Sequence, residues 1–126
     1  AGNRVILIGG ELKGTTEAVI GSQAILMIQS YHFTKGFFGT NGVSKRHGFT
    51  TPDPNEALVK QEAMRQTERC YVLADSQKFG MVSSVTFGVF EEATILTACN
   101  ADLLKCLAVL AALVNCYGSY ASTSDN

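Results

Sequence analysis

Short apolar runs, each closed by glycine or aspartate and alternating with stretches of helical periodicity, constrain this chain more than any other feature. Arg4-Val-Ile-Leu-Ile8 is β-branched and stops at Gly9-Gly10, so it reads as a buried strand ending in a tight turn. A polar loop follows through Thr15, Thr16 and Glu17. Ile20, Ala24, Met27, Ile28 and Tyr31 then recur at helical spacing, which predicts a helix over 21–31. Lys35-Gly-Phe-Phe38 is a second short strand, followed by the loop Gly39-Thr40-Asn41-Gly42. Asp53-Pro54-Asn55-Glu56 is a well-formed helix start: Asp53 can cap, Pro54 suits the first helical position, and Glu56 stands where a capping box places its acid. That helix is expected to reach about Arg69. Cys70-Tyr-Val-Leu-Ala74 is a third strand, ending in Asp75-Ser76-Gln77-Lys78. A fourth strand is expected over 94–97 and a last helix over 101–115, before a small polar tail over 119–126.

Continuous apolar strands alternating with helices argue for an α/β fold: three layers, a mostly parallel sheet, and helices on both faces. In such sheets ligands bind beyond the carboxyl ends of the strands. Two loops lie there on this reading, 39–42 and 75–78, and their coincidence is the strongest purely physical indication of a site.

At 126 residues the chain fits one domain with a real core. Hydrophobic residues make up 46% and charged residues 17%, a globular composition. The net charge of -1 lacks the basic excess of a free-standing nucleic-acid binder, and the local cluster Lys45-Arg46-His47 reads as a solvated turn. Cys70, Cys99, Cys106 and Cys116 form no CxxC pair and have no histidine at metal-ligand spacing. They read as thiols of a reduced cytoplasmic protein, with no metal and no cofactor. The chain opens on Ala-Gly-Asn-Arg and runs straight into an apolar stretch, so no signal peptide is expected. The apolar run over 103–114 is shorter than the ~20 residues a bilayer requires, so it reads as a core or interface helix and no membrane partner is expected.

Several strings taken in order resemble the sensor domain of the DeoR family. They are Leu7-Ile-Gly-Gly-Glu-Leu12, Gly21, Phe37-Phe-Gly-Thr-Asn-Gly-Val-Ser44, His47-Gly-Phe-Thr50, Lys60 and Leu73-Ala-Asp-Ser-Gln-Lys-Phe-Gly80. The resemblance runs in register over about 5–97 and fades after Cys99. It implies a fold similar to ribose-5-phosphate isomerase, glucosamine-6-phosphate deaminase and the coenzyme A transferases. It also implies a repressor whose carboxy-terminal domain binds a phosphorylated sugar, while DNA is contacted only through an amino-terminal helix-turn-helix. That helix-turn-helix and the family's glycine-rich phosphate loop would precede Ala1, so the chain is expected to be the effector-sensing part of a longer, homo-oligomeric repressor, truncated at its amino end. The string His47-Gly-Phe-Thr-Thr-Pro-Asp-Pro54 is closest to repressors of fructose or lactose/tagatose operons.

Each candidate ligand residue has a plainer reading beside its functional one. Gly39-Thr40-Asn41-Gly42 is, from the residues alone, a turn, because Asn-Gly tolerates positive φ. With the resemblance it becomes a ligand loop whose backbone amides and Asn41 side chain meet sugar hydroxyls or phosphate. Asp75 and Lys78 could form a solvated turn with a weak ion pair. At a strand end Lys78 instead suits a phosphate or sugar oxygen as a point charge, as the matching lysine of the isomerases does, with Asp75 in support. His47 reads as exposed and His32 as structural.

Lys60 shares a helix face with Ala57, Met64 and Thr67, where the helix is least polar. A pair with Glu56 would be worth roughly a few tenths of a kcal/mol, with the stem snorkelling outward. The resemblance places Lys60 at or next to the position where the pentose-phosphate isomerases keep a catalytic glutamate. A lysine cannot act as that carboxylate base, so the expectation is a sensor and no enzyme. The rivals are a sugar-phosphate isomerase or deaminase on the same fold, and a bare dimerisation module.

Overall fold

The computed structural model describes residues 4–14 and 18–97. A hairpin of β1 (Glu11–Leu12) and β2 (Val19–Ile20) leads into α1 (Ser22–Gln29) and then β3 (Phe33–Gly39). Next come β4 (Gly42–Ser44), β5 (Gly48–Thr51), α2 (Pro54–Arg65) and β6 (Thr67–Leu73). A 3-10 turn at Ser76–Lys78 precedes β7 (Val85–Gly88), and a second at Phe90–Glu92 precedes β8 (Ala93–Leu96). The helix expected over 101–115, the polar tail, and Cys99, Cys106 and Cys116 lie outside the described residues.

The expected parallel sheet is present as three strands in the order β3-β6-β8. Its register sets Phe33 opposite Thr67, Gly39 opposite Leu73, and Leu73 opposite Leu96. A second, antiparallel sheet of order β4-β5-β7 was not legible as such. Its hairpin turns at Lys45-Arg46-His47, where Ser44 Oγ accepts the backbone N–H groups of Arg46 and His47 at 3.2 and 3.3 Å. Gly48 closes that turn with φ +73°, and a Cβ there would stand 2.1 Å from the Gly88 carbonyl oxygen. Only glycine fits such a position.

The two sheets meet across α2. The Asp53 carboxylate accepts the Asn55 N–H at 2.8 Å and Pro54 occupies the first turn, so the helix starts where its sequence placed it. It ends at Arg65, short of the expected Arg69, because Thr67 and Arg69 are needed to pair with Phe33 and Lys35 of β3. Its buried side chains Ala57, Val59, Ala63 and Met64 join Ala24 and Ile28 of α1, Phe38, Val43, Phe49, Val72 and Phe87 in one apolar core. α1 packs on α2, and α2 packs on β3 and β6 of the parallel sheet. Among the described residues no helix covers its other face, so helices on both faces are not displayed here. There Phe37 and Tyr71, paired in register, stack with ring centroids 5.2 Å apart.

One expected strand does not form. Residues 4–8 carry no ladder, and only Ile8 reaches the core, at 2% exposure against 66% for Val5 and 61% for Leu7. A β-branched run becomes a strand only when another strand pairs with it, and among the described residues none does. The loop read after it instead begins and ends as the β1–β2 hairpin. Cys70 lies buried in β6, and burial, with Glu92 nearby, pushes its thiol up to about 11.

Candidate functional site

Parallel register brings the candidate residues to one edge. Gly39 and Leu73 pair at the carboxyl ends of β3 and β6, so the chain leaves the sheet side by side at Thr40 and Ala74. Ala74 donates its N–H to the Leu96 carbonyl at 3.1 Å, which draws the end of β8 to the same edge. Beyond it the Asp75 carboxylate accepts the Gln77 N–H at 2.9 Å and starts the 3-10 turn that carries Lys78. The chain then returns across β4: Phe79 bridges to Val43, and Gly80 donates to the Val43 carbonyl at 2.8 Å. Gly42 permits this crossing, since a Cβ on it would stand 2.3 Å from the Met81 carbonyl oxygen.

The crossing from β3 to β4 is tightly bonded. Thr40 donates its hydroxyl toward the Gly42 carbonyl at 2.8 Å and the Thr50 carbonyl at 3.1 Å. The Asn41 backbone N–H goes to the Thr50 carbonyl at 3.0 Å, and the Gly42 N–H faces Thr40 Oγ1 at 3.4 Å. The backbone amides of Asn41 and Gly42 thus serve the turn itself. The Asn41 side chain stays exposed at the rim, its oxygen accepting the Thr51 hydroxyl at 3.1 Å.

Lys60 is a half-buried charge of this region. Its Nζ donates to the Gly39 carbonyl at 2.8 Å and lies 5.1 Å from the centroid of the Phe87 ring. One side chain on α2 therefore holds the end of the parallel sheet and rests on the antiparallel one. Desolvation holds the ammonium's pKa below its ordinary value, and Glu56, one turn earlier on the helix, opposes that shift. A cation over an aromatic face is a favourable partner for a desolvated ammonium.

Glu56 is itself engaged by Lys13. The Lys13 ammonium bonds the carboxylates of Asp53 and Glu56, the latter at 3.2 Å, and so fastens the β1–β2 hairpin to the start of α2. These contacts raise the Lys13 pKa, with Asp53 the larger cause, and lower that of Asp53, with Lys13 the larger cause ahead of the Asn55 amide.

Gly39, Thr40, Asn41, Gly42, Lys60, Asp75 and Lys78 are thus gathered at one edge, with direct contact shown between Lys60 and Gly39 and between Thr40 and Gly42. Thr50, Thr51 and Phe87 belong to the same region and were not singled out in the sequence. The run Gly48-Phe-Thr-Thr51, aromatic and β-branched between a basic turn and Asp53-Pro54, is the signal that exposes the first two. A cavity of about 380 Å³ lies elsewhere, toward the start of β6, between Gln61, Arg65, Glu68, Thr86 and Glu92. Among the described residues no group of three histidine, cysteine or acidic side chains is placed to hold a metal ion, and no helix is long and apolar enough to cross a membrane.

Residues 1–98 match the family described as the DeoR C-terminal sensor domain. The protein named uncharacterized HTH-type transcriptional regulator FruR of Bacillus subtilis is 50% identical over 91 residues, 72% of this chain and 36% of its own length. The lactose phosphotransferase system repressor of Streptococcus mutans is 33% identical over 100 residues, 79% of this chain and 39% of its own. The repressor of the same name from Staphylococcus aureus is 36% identical over 91 residues, covering 72% and 36%. The chain spans little more than a third of the length of these relatives.

Proposed function

This chain belongs to the family of DeoR C-terminal sensor domains, and from that membership we propose that it is the effector-binding part of a transcriptional repressor, reading a phosphorylated sugar without transforming it. The observation that carries the reading is the Lys60 ammonium, desolvated at the carboxyl edge of the parallel sheet where a ligand of an α/β sheet sits. A cation there attracts an anion and cannot serve as the carboxylate base that an isomerase requires. Asp75 spends its carboxylate on a turn amide, and Glu56 on Lys13. Neither is set up for proton abstraction.

In the proposed site Lys60, Lys78 and the Asn41 side chain contact the ligand. Gly39, Thr40 and Gly42 shape the wall and Asp75 orders the turn that presents Lys78. A sugar phosphate that prefers one conformation of this edge shifts the domain toward it, and in the intact repressor that preference changes operator affinity. DNA contact belongs on this reading to a helix-turn-helix elsewhere in the intact protein, which works in the cytoplasm as a homo-oligomer. The sequence motif at 47–54 favours fructose or lactose/tagatose metabolism, and the relatives named lactose phosphotransferase system repressors support the lactose reading. Incubation with ribose 5-phosphate, glucosamine 6-phosphate and ketohexose phosphates, followed by chromatography, tests the non-enzymatic half. We expect the sugars to be recovered unchanged; turnover that disappears in Lys60→Met or Asp75→Asn would make the protein an isomerase or deaminase instead.

A further inference from the structure

Asn41 stands at the rim of the proposed site, and its amide has an orientation imposed from below. Thr51 is the last residue of β5, a strand held between β4 and β7, and is only 2% exposed. Its backbone is fixed by the ladder opposite Val85, and its β-branched side chain is restricted at χ1. The hydroxyl therefore has a set position, from which it donates to Asn41 Oδ1 at 3.1 Å. With the oxygen held inward, the amide nitrogen of Asn41 is left at the exposed rim as a donor.

The surroundings are polarised in the same sense. The carbonyl of Gly39 is taken by Lys60, that of Gly42 by Thr40, and that of Thr50 by the Asn41 N–H and Thr40 together. These three carbonyls, which could accept from a sugar hydroxyl, are already engaged. What remains beside these on Asn41 and Lys60 is the amide nitrogen's hydrogens and the further hydrogens of an ammonium, all donors. A hydroxyl both donates and accepts, whereas an ionised phosphate oxygen or a carbonyl oxygen only accepts.

We infer that Thr51 is a positioning residue that pins Asn41 with its amide nitrogen presented as a donor, so that this end of the site reads an acceptor-only oxygen of the ligand in place of its hydroxyls. The inference rests on the effector-binding reading for its ligand half; the pinning of Asn41 stands without it. Two sources supply such an oxygen, the phosphate and the carbonyl of the open-chain sugar, and they are separable.

The test is a double-mutant cycle on the folded chain, with circular dichroism to check each variant. Wild type, Thr51→Val, Thr51→Ser, Asn41→Ala and the Thr51→Val/Asn41→Ala double variant are titrated with fructose 6-phosphate, sorbitol 6-phosphate and inorganic phosphate. Thr51→Val is expected to weaken fructose 6-phosphate by about three- to tenfold, the worth of one hydrogen bond, and Thr51→Ser to restore most of it. In the Asn41→Ala background Thr51→Val should cost nothing further. Coupling that persists with sorbitol 6-phosphate and inorganic phosphate assigns the oxygen to the phosphate; coupling confined to fructose 6-phosphate assigns it to the carbonyl. Equal losses with and without Asn41, or failure of Thr51→Ser to rescue, overturn the inference. A nuclear magnetic resonance order parameter for the Asn41 side-chain amide, measured without ligand, separates the two halves. It should be high in wild type and Thr51→Ser and fall in Thr51→Val. If wild type binds none of the three compounds, the effector reading fails, while an amide equally mobile in all variants overturns the pinning itself.

Discussion

The Lys60 ammonium donates to the Gly39 carbonyl oxygen at 2.8 Å while resting over the Phe87 ring, so that a single side chain of α2 joins the end of the parallel sheet to the antiparallel one. A desolvated lysine has a titration signature. Its native pKa lies below the unfolded value near 10.5, so between those two values the unfolded chain binds the proton that the native chain has lost. Stability carried by this group therefore rises with pH across that window. We expect wild type to gain stability relative to Lys60→Met as pH is raised from 7 toward 10.5, measured by urea denaturation at several pH values. A difference that stays flat would place the ammonium in solvent.

Gly42 and Gly48 make the antiparallel sheet possible by what they lack. A Cβ on Gly42 would stand 2.3 Å from the Met81 carbonyl, and one on Gly48 would stand 2.1 Å from that of Gly88, at a φ of +73°. Each alanine substitution should destabilise by about 1–3 kcal/mol, as overpacking against backbone does, and Gly48→Ala should be the worse because its φ is strained as well. Alanine at Gly39, where nothing lies within 4 Å of the added carbon, is the control and should be nearly neutral. Equal effects at all three positions would contradict the packing.

Much of this was legible in the residues, and the failures are physical. Asp53-Pro54 announced α2 because a cap and a proline act locally, and the site edge followed from Gly39 and Asp75 closing apolar runs. The carboxyl-terminal boundary of α2 and the absence of a strand at 4–8 were not legible. Both depend on which strand pairs with which, a non-local matter that local pattern does not encode. Thr51 escaped for a related reason. Its role lies in a hydrogen bond to a residue ten positions away, across a hairpin that only the folded chain displays.

Asp53 does two jobs, capping α2 through Asn55 and receiving Lys13 from the hairpin. Asp53→Asn should keep the cap and lose the ion pair, and Asp53→Ala should lose both, so the order of thermal midpoints should be wild type, asparagine, alanine. The native Asp53 pKa is lowered below 3.8, so its stabilisation is present above that value and lost as pH falls through the native one. The gap between wild type and Asp53→Asn should accordingly close in strong acid. A gap that is unchanged at pH 2 would show that the carboxylate's charge is not what Lys13 meets.

Cys70 is buried in β6, with its Sγ 3.7 Å from the Met64 carbonyl and its thiol pKa raised to about 11. The thiolate is the reactive form, so alkylation at pH 8 should be slow at Cys70 in the native chain and accelerate by orders of magnitude in denaturant. Mass spectrometry of the peptide containing Cys70, after brief iodoacetamide treatment, reads this directly. Rapid native labelling would show that the strand opens readily.

The most direct measurement is titration calorimetry of this chain against ketohexose phosphates and the same sugars without phosphate, in wild type, Lys60→Met and Lys78→Ala. Charge-assisted hydrogen bonds are worth about 1.5–3 kcal/mol, so each substitution should weaken the phosphorylated ligand by roughly tenfold or more, Lys78→Ala without loss of fold. We expect wild type to bind at least one phosphorylated sugar and to prefer it strongly over its neutral counterpart. Equal binding of the neutral sugar, or affinities untouched by both substitutions, would contradict a phosphorylated-sugar site at this edge.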